Sequence, residues 1–260
     1  KENMMENQGI NGKYKFDSLG SMLKADISLD YFETNGGQKY TTSFTSPGVF
    51  LVSGNGDLLN NRMLFTSMLD FKYYFSHKIT FEAGIKNTIL NFDGDTQFSL
   101  TKDGKTQADN FRTNQFLYKE SINAGYLQAS KSFGKFLLKM GGRLENTRMN
   151  GHQLVPADTT FKINRTDFFP YIYFSRNLFP IATYELRGYL IARRTITRPV
   201  YEQLNPFARF VDQYNYEAGN PGLKPQFSNN YEANISFENR PIFAIGRNYI
   251  NDIFTSVVYQ

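Results

Sequence analysis

The 260-residue sequence has no cysteine, no tryptophan and only two histidines, His77 and His152. Without cysteine neither a disulfide framework nor a thiolate metal site can form, and two histidines so far apart give no start to a zinc site. No run approaches the ~18 apolar residues that a membrane helix needs. That excludes a helical membrane protein but not a membrane β-barrel, whose strands need be apolar on one face only. The chain shows no nucleophile elbow, phosphate loop or metal-ligand cluster, so no enzyme activity and no cofactor are expected. The net charge of +5 is scattered along the chain, leaving no coherent footprint for nucleic acid. The opening "KENMMENQGINGKYKF" offers neither an initiator Met nor a signal-peptide core, and "DIFTSVVYQ" stops in mid-pattern, as expected of a fragment or processed piece of something longer.

What the chain does have is aromatics, 25 Phe and 17 Tyr, set in a rhythm of two. In "RMLFTSMLDFKYYFS", Met63, Phe65, Leu69, Phe71, Tyr73 and Phe75 share one face, and Thr66, Asp70, Lys72 and Ser76 the other. "ITFEAGIKNT" sets Ile79, Phe81, Ala83 and Ile85 against Thr80, Glu82, Lys86 and Thr88. "LLKMGGRLEN" sets Leu138, Met140 and Leu144 against Lys139, Arg143 and Glu145. "NYEANISFE" sets Tyr231, Ala233, Ile235 and Phe237 against Glu232, Asn234, Ser236 and Glu238. Period two is the signature of a strand. Between Tyr118 and Ala129 both faces mix apolar and polar residues, and the reading is ambiguous.

Connector lengths alternate. After a first strand near Leu19 to Phe32 comes the long "ETNGGQKYTTSFTSPGVFLVSGNGD", then a tight turn at His77–Lys78 and the long "DGDTQFSLTKDGKTQADNFRTN". The tight "SFGK", the long "NGHQLVPADTTFKIN", the short "NLFPI", a long proline-rich connector and the short "ENRPI" complete the series. About nine strands in such a meander carry turns at one end and elaborate loops at the other, the layout of an outer-membrane barrel. Alternation alone fits a soluble sandwich equally well, with its apolar face inward. Two features favour the membrane: apolar faces rich in Phe, Tyr and Leu, and strands of about 10–15 residues, against ~5–6 in soluble sheets and ~9–11 for a tilted bilayer crossing. In that reading Glu82, Lys86, Lys139, Arg143 and Glu145 point into the lumen and pair there.

The proline-rich connector is the most specific segment. "RRTITRPVYEQLNPF" and "GNPGLKPQFSNNYEANISF" hold four of the nine prolines, Pro199, Pro206, Pro221 and Pro225. Taken in order with "YKESINAGYLQASKSFGKFLLKMGGRLENTRMNG" and "TTFKINRTDFFPYIYFS", they closely resemble the outer-membrane β-barrel domain of TonB-dependent receptors of the Bacteroidetes type. The resemblance runs from about Leu23 to Ile253. It implies an all-β fold, an antiparallel up-and-down transmembrane β-barrel, of which residues 1–260 form part of one domain. Barrels of such transporters have about 22 strands, so the chain would be a segment without the plug, TonB box or closing strands. It also implies a place in the bacterial outer membrane, contact with lipid and lipopolysaccharide, a TonB-type energising protein acting through the plug, and a surface lipoprotein or envelope complex as a further partner.

Two readings of the connector remain. In the plainer one, proline bars strand pairing and stiffens the loop, and Tyr201, Phe207, Phe210, Tyr214 and Tyr216 form a mini-core above the barrel rim. In the sharper one the loop contacts substrate through Arg209, Asp212 and Tyr214. Arg193, Arg194 and Arg198 either pair with nearby carboxylates or meet an anionic ligand. "NFDGDT" lacks the spacing and terminal Glu of a calcium loop and reads as a turn at Asp93-Gly94, while "KDGK" suits a hairpin tip. The expected function is a share in importing a large nutrient such as a metal chelate, peptide or oligosaccharide. The alternatives are a non-transporting barrel, either structural subunit or adhesin of an envelope complex, and a soluble carbohydrate-binding β domain.

Overall fold

The structure is a computed structural model that describes residues 2–45, 50–75, 78–181, 184–210, 215–237 and 240–258, the side chains of 181, 209 and 210 excepted. In chain order the elements are β1 (Glu2–Lys15), β2 (Met22–Phe44), β3 (Phe50–Phe75), β4 (Ile79–Lys102), β5 (Lys105–Ala108), β6 (Asn114–Phe133) and β7 (Phe136–Val155). They continue with β8 (Thr159–Ile181), β9 (Tyr184–Thr197), α1 (Tyr201–Leu204), β10 (Arg209–Phe210), β11 (Tyr216–Glu217), β12 (Gln226–Phe237) and β13 (Arg240–Asn251). Among the described residues, ten long strands form one antiparallel sheet in the order β1-β2-β3-β4-β6-β7-β8-β9-β12-β13, with β5 added to β4 and the sheet not closed on itself. No described helix is long enough to cross a membrane; any crossing is made by strands.

Which face is which follows from exposure. Four rows of side chains run across β3, β4, β6, β7 and β8 on one face: Phe75–Ile79–Lys131–Leu138–Phe174, Tyr73–Phe81–Ala129–Met140–Ile172, Phe71–Ala83–Leu127–Gly142–Pro170 and Leu69–Ile85–Gly125–Leu144–Phe168. Ile85 is 62% exposed, Leu127 59% and Phe168 53%. Among the described residues no second sheet covers them, so the dry sandwich is overturned and the apolar face looks outward. From first to last the four rows span about 15 Å of height at ~3.3 Å per residue and a tilt of ~40°, within the ~25 Å apolar band of outer-membrane barrels. The opposite face carries charge: Lys72 pairs with Glu82 at 3.2 Å, Gln128 Nε2 donates to Glu82 at 3.0 Å, Tyr126 Oη to Asp70 at 2.7 Å, and Arg165 grips Asp167 with two bonds.

Several readings from sequence are corrected. Outside the proline-rich connector, most of each long connector is strand: β2 has 23 residues and β3 has 26, where about 10–15 were expected. A strand as long as β3 runs about 85 Å, far beyond the ~9–11 residues of a crossing, so the hairpins stand as tall ribbons above the apolar band. The first strand is not Leu19–Phe32. Residues 17–21 turn, with the Ser21 amide donating to Asp17 Oδ1 at 2.9 Å, and β1 precedes them. Asp93 and Gly94 lie inside β4, paired to Asn61 and Asn60 on one side and to Leu117 and Phe116 on the other, and make no turn. The hairpin tip at "KDGK" is borne out, with Asp103 at φ 54° and Gly104 at φ 74°. So is the tight "SFGK" turn, where Gly134 has φ 58°; His77 lies outside the described residues.

Aromatic rings repeatedly cover glycines directly opposite them, as in the pairs Tyr40–Gly54, Phe98–Gly56, Tyr126–Gly84 and Phe161–Gly151. A Cβ at any of these glycines would sit within 2.4 Å of the ring. This cross-strand device pins register in wide sheets.

Candidate functional site

The proline-rich connector, residues 198–225, joins β9 to β12 at the end of the sheet that carries the long hairpins. It turns inward instead of standing above the rim. Asn205, held extended by the proline that follows it (φ −72°, ψ 113°), stops α1 after one turn. Gln203 closes the first turn by accepting the Val200 amide at 3.0 Å. The short helix then presents Tyr201 and Leu204 to the charged face of the sheet at its upper, apolar end.

Leu204 is 0% exposed and packs with Phe116, Tyr118 and Met149, flanked by Leu90, Phe92, Phe161, Ile163, Tyr201 and Leu223. The Tyr201 ring stacks on Phe92 with centroids 4.1 Å apart and lies 6.1 Å from Tyr118. These wall residues share the face of Glu82, Arg143 and Glu145 by strand parity, so the connector seals against the lumenal wall. Burial, then Glu202, pushes the Tyr201 phenol well above its ordinary range, keeping it neutral.

Charge secures the base of the connector. Arg198 pairs with Glu145, which also pairs with Arg143, and Arg198 Nη2 donates to Thr147 Oγ1 at 3.2 Å. Glu145 is 1% exposed. Burial pulls the Arg198 guanidinium below its ordinary pKa, with Glu120 opposing that shift. Arg193 reaches Glu232 at 3.5 Å, and Arg194 donates to the Phe168 carbonyl at 3.4 Å and lies over Phe227. For Arg193 and Arg198 the carboxylate pairing expected of the basic cluster is present.

The two motif halves dock on each other through backbone. The Gly219 amide donates to Asn205 O at 2.8 Å and the Asn220 amide to Gln203 O at 2.7 Å. Each Asn before a Pro also makes an Asx turn: Asn205 Oδ1 accepts from the Phe207 amide at 3.1 Å and Asn220 Oδ1 from the Gly222 amide at 2.8 Å. Asn220→Ala removes the second of these acceptors. It is expected to loosen the connector by about 1 kcal/mol, seen as faster amide exchange at Gly222 and Leu223 in the full-length protein.

Of the residues read as substrate-facing, Asp212 and Tyr214 lie outside the described residues. Arg209 is described only by its backbone, in β10, where it pairs with Glu217 of β11. Of the expected mini-core, Tyr201 packs on the wall instead and Tyr216 is 61% exposed, while the Phe210 side chain and Tyr214 lie outside the described residues. Sequence reading missed Phe92, Phe116, Tyr118 and Met149 as the seat. Of these only Tyr118 left a trace in the sequence, in the mixed character of the Tyr118–Ala129 faces.

Among solved structures, the chain is similar to the alcaligin outer membrane receptor FauA from Bordetella pertussis, at 13% identity and a TM-score of 0.40, over 90% of this chain and 40% of that one. The chain therefore spans less than half of that receptor's length. No curated protein matches it. The model of the outer membrane protein beta-barrel family matches residues 14–260, and the chain belongs to that family, whose place is the bacterial outer membrane.

Proposed function

We propose that the chain is part of a TonB-dependent outer-membrane receptor that imports a large nutrient, such as a metal chelate, peptide or oligosaccharide. The ordered motif series of the connector supports the TonB-dependent assignment. The observation that carries transport is the inward docking of the connector onto a charged lumenal wall, with Leu204 fully buried there. A solute entering from outside meets this constriction before the ion pairs below it. The role is binding and passage, without bond chemistry, and the partners are a TonB-type energising protein, outer-membrane lipid and a surface lipoprotein.

The tall ribbons favour a second reading, a non-transporting barrel that serves as adhesin or structural subunit. A strain lacking the full gene decides between them. Transport predicts lost growth on one class of large nutrient, restored by the intact gene. Unchanged growth on every class, with attachment or envelope integrity impaired, overturns transport in favour of the second reading.

A further inference from the structure

The outward apolar band has a notch in its upper edge. On β2, β3 and β4 apolar side chains resume above the polar Ser67–Asn87 row at Leu29, Phe65 and Ile89, while the same row on β6, β7 and β8 carries Ser121, Arg148 and Asn164. Lys119 and Lys162 flank Asn150 one row higher. All three cations are exposed, and none has a carboxylate partner among the described residues. The carboxylates of this face nearest the cations, Asp93 and Asp95 on β4, lie one and two rows above Lys119, with Glu33 on β2 in the row of Asp93 and Asp57 on β3 higher still.

Below the cations runs an amide ladder. Asn87 Nδ2 donates to Asn123 at 2.6 Å, and Asn146 Nδ2 to Thr166 Oγ1 at 3.0 Å and Asn164 Oδ1 at 3.2 Å. Below the ladder lies an open apolar hollow of about 740 Å³, where Ala83, Gly125 and Gly142 leave space between Leu69, Leu127 and Phe168. Cations, amides and a greasy trough thus follow one another down a single strip of outer wall. Charge and polarity match an anionic amphiphile standing upright in the membrane.

We propose that this strip binds one phosphorylated, acylated lipid of the outer leaflet. Its phosphate is held by Lys119, Arg148 and Lys162, its polar linkage lies along the ladder, and an acyl chain fills the hollow. The proposal rests on the outer-membrane placement of the chain and is independent of the transport reading.

The test is native mass spectrometry of the full-length protein in detergent, given phosphorylated lipid A or its dephosphorylated form. Wild-type protein is expected to retain the phosphorylated form selectively; equal retention of both overturns the proposal without any variant. In K119S/R148S/K162S, folded as judged by heat-dependent gel mobility, retention of phosphorylated lipid A is expected to fall about tenfold or more, the scale of three lost charge contacts. Unchanged retention overturns the proposal. Gly125→Leu fills the hollow, where a Cβ meets only the Gly84 carbonyl at 4.0 Å, and is expected to weaken both lipids; retention of both at wild-type level removes the acyl seat.

Discussion

Gly219→Ala is expected to free the connector from the lumenal wall. A Cβ at this position would lie 2.4 Å from Gln203 O and 2.6 Å from Asn205 O, and neither backbone atom can rotate away as a side chain would. Relief requires the two motif halves to part. That breaks both backbone hydrogen bonds between them, at about 1 kcal/mol each, and adds an overpacking cost of about 1–3 kcal/mol. Hydrogen exchange on the full-length protein should show the amides of residues 201–205, 219, 220, 222 and 223 losing protection together, while β6 and β7 stay protected. Protection unchanged across the connector sinks the interlock.

Glu145→Ala is the second large effect. The substitution leaves Arg198 in a largely dry setting with no ion-pair partner and only the charge of Glu120 nearby, and breaking a buried pair from one side costs about 3–5 kcal/mol. Arg143, with its side chain 46% exposed, is hydrated in any case and contributes little to that figure. Replacing Glu145 and Arg198 together by leucine is expected to recover most of the loss, because the desolvation of both charges disappears with them. Denaturant unfolding in detergent of the single and double variants measures this. Equal destabilisation in both would mean that the pair is not the anchor.

The outward rows from Leu69 to Phe75 were legible in the sequence because lipid enforces strict alternation over that height. Above the band water touches both faces of a ribbon, the alternation lapses, and "ETNGGQKYTTSF" reads as loop although it is strand. β1 escaped notice for a related reason: its Asn- and Glu-rich stretch buries nothing. The prolines announced a stiff connector, yet its destination is written in Phe92, Phe116, Tyr118 and Met149, on three strands and 50 to 110 residues away. Tyr118 blurred the pattern of β6 for the same reason: the connector dries the inner wall there, so an apolar side chain suits the polar face.

The meander has a kinetic consequence. Apart from β4 with β6 and β9 with β12, each long strand is bonded to its sequence neighbours, so a hairpin can zip onto the growing wall soon after it is made, without waiting for distant partners. The connector is different, since its seat exists only once β4, β6, β7 and β8 are side by side. Its docking is therefore a late, separable event in assembly, and a slow phase reporting on the Tyr201–Phe92 stack should trail the closure of the hairpins.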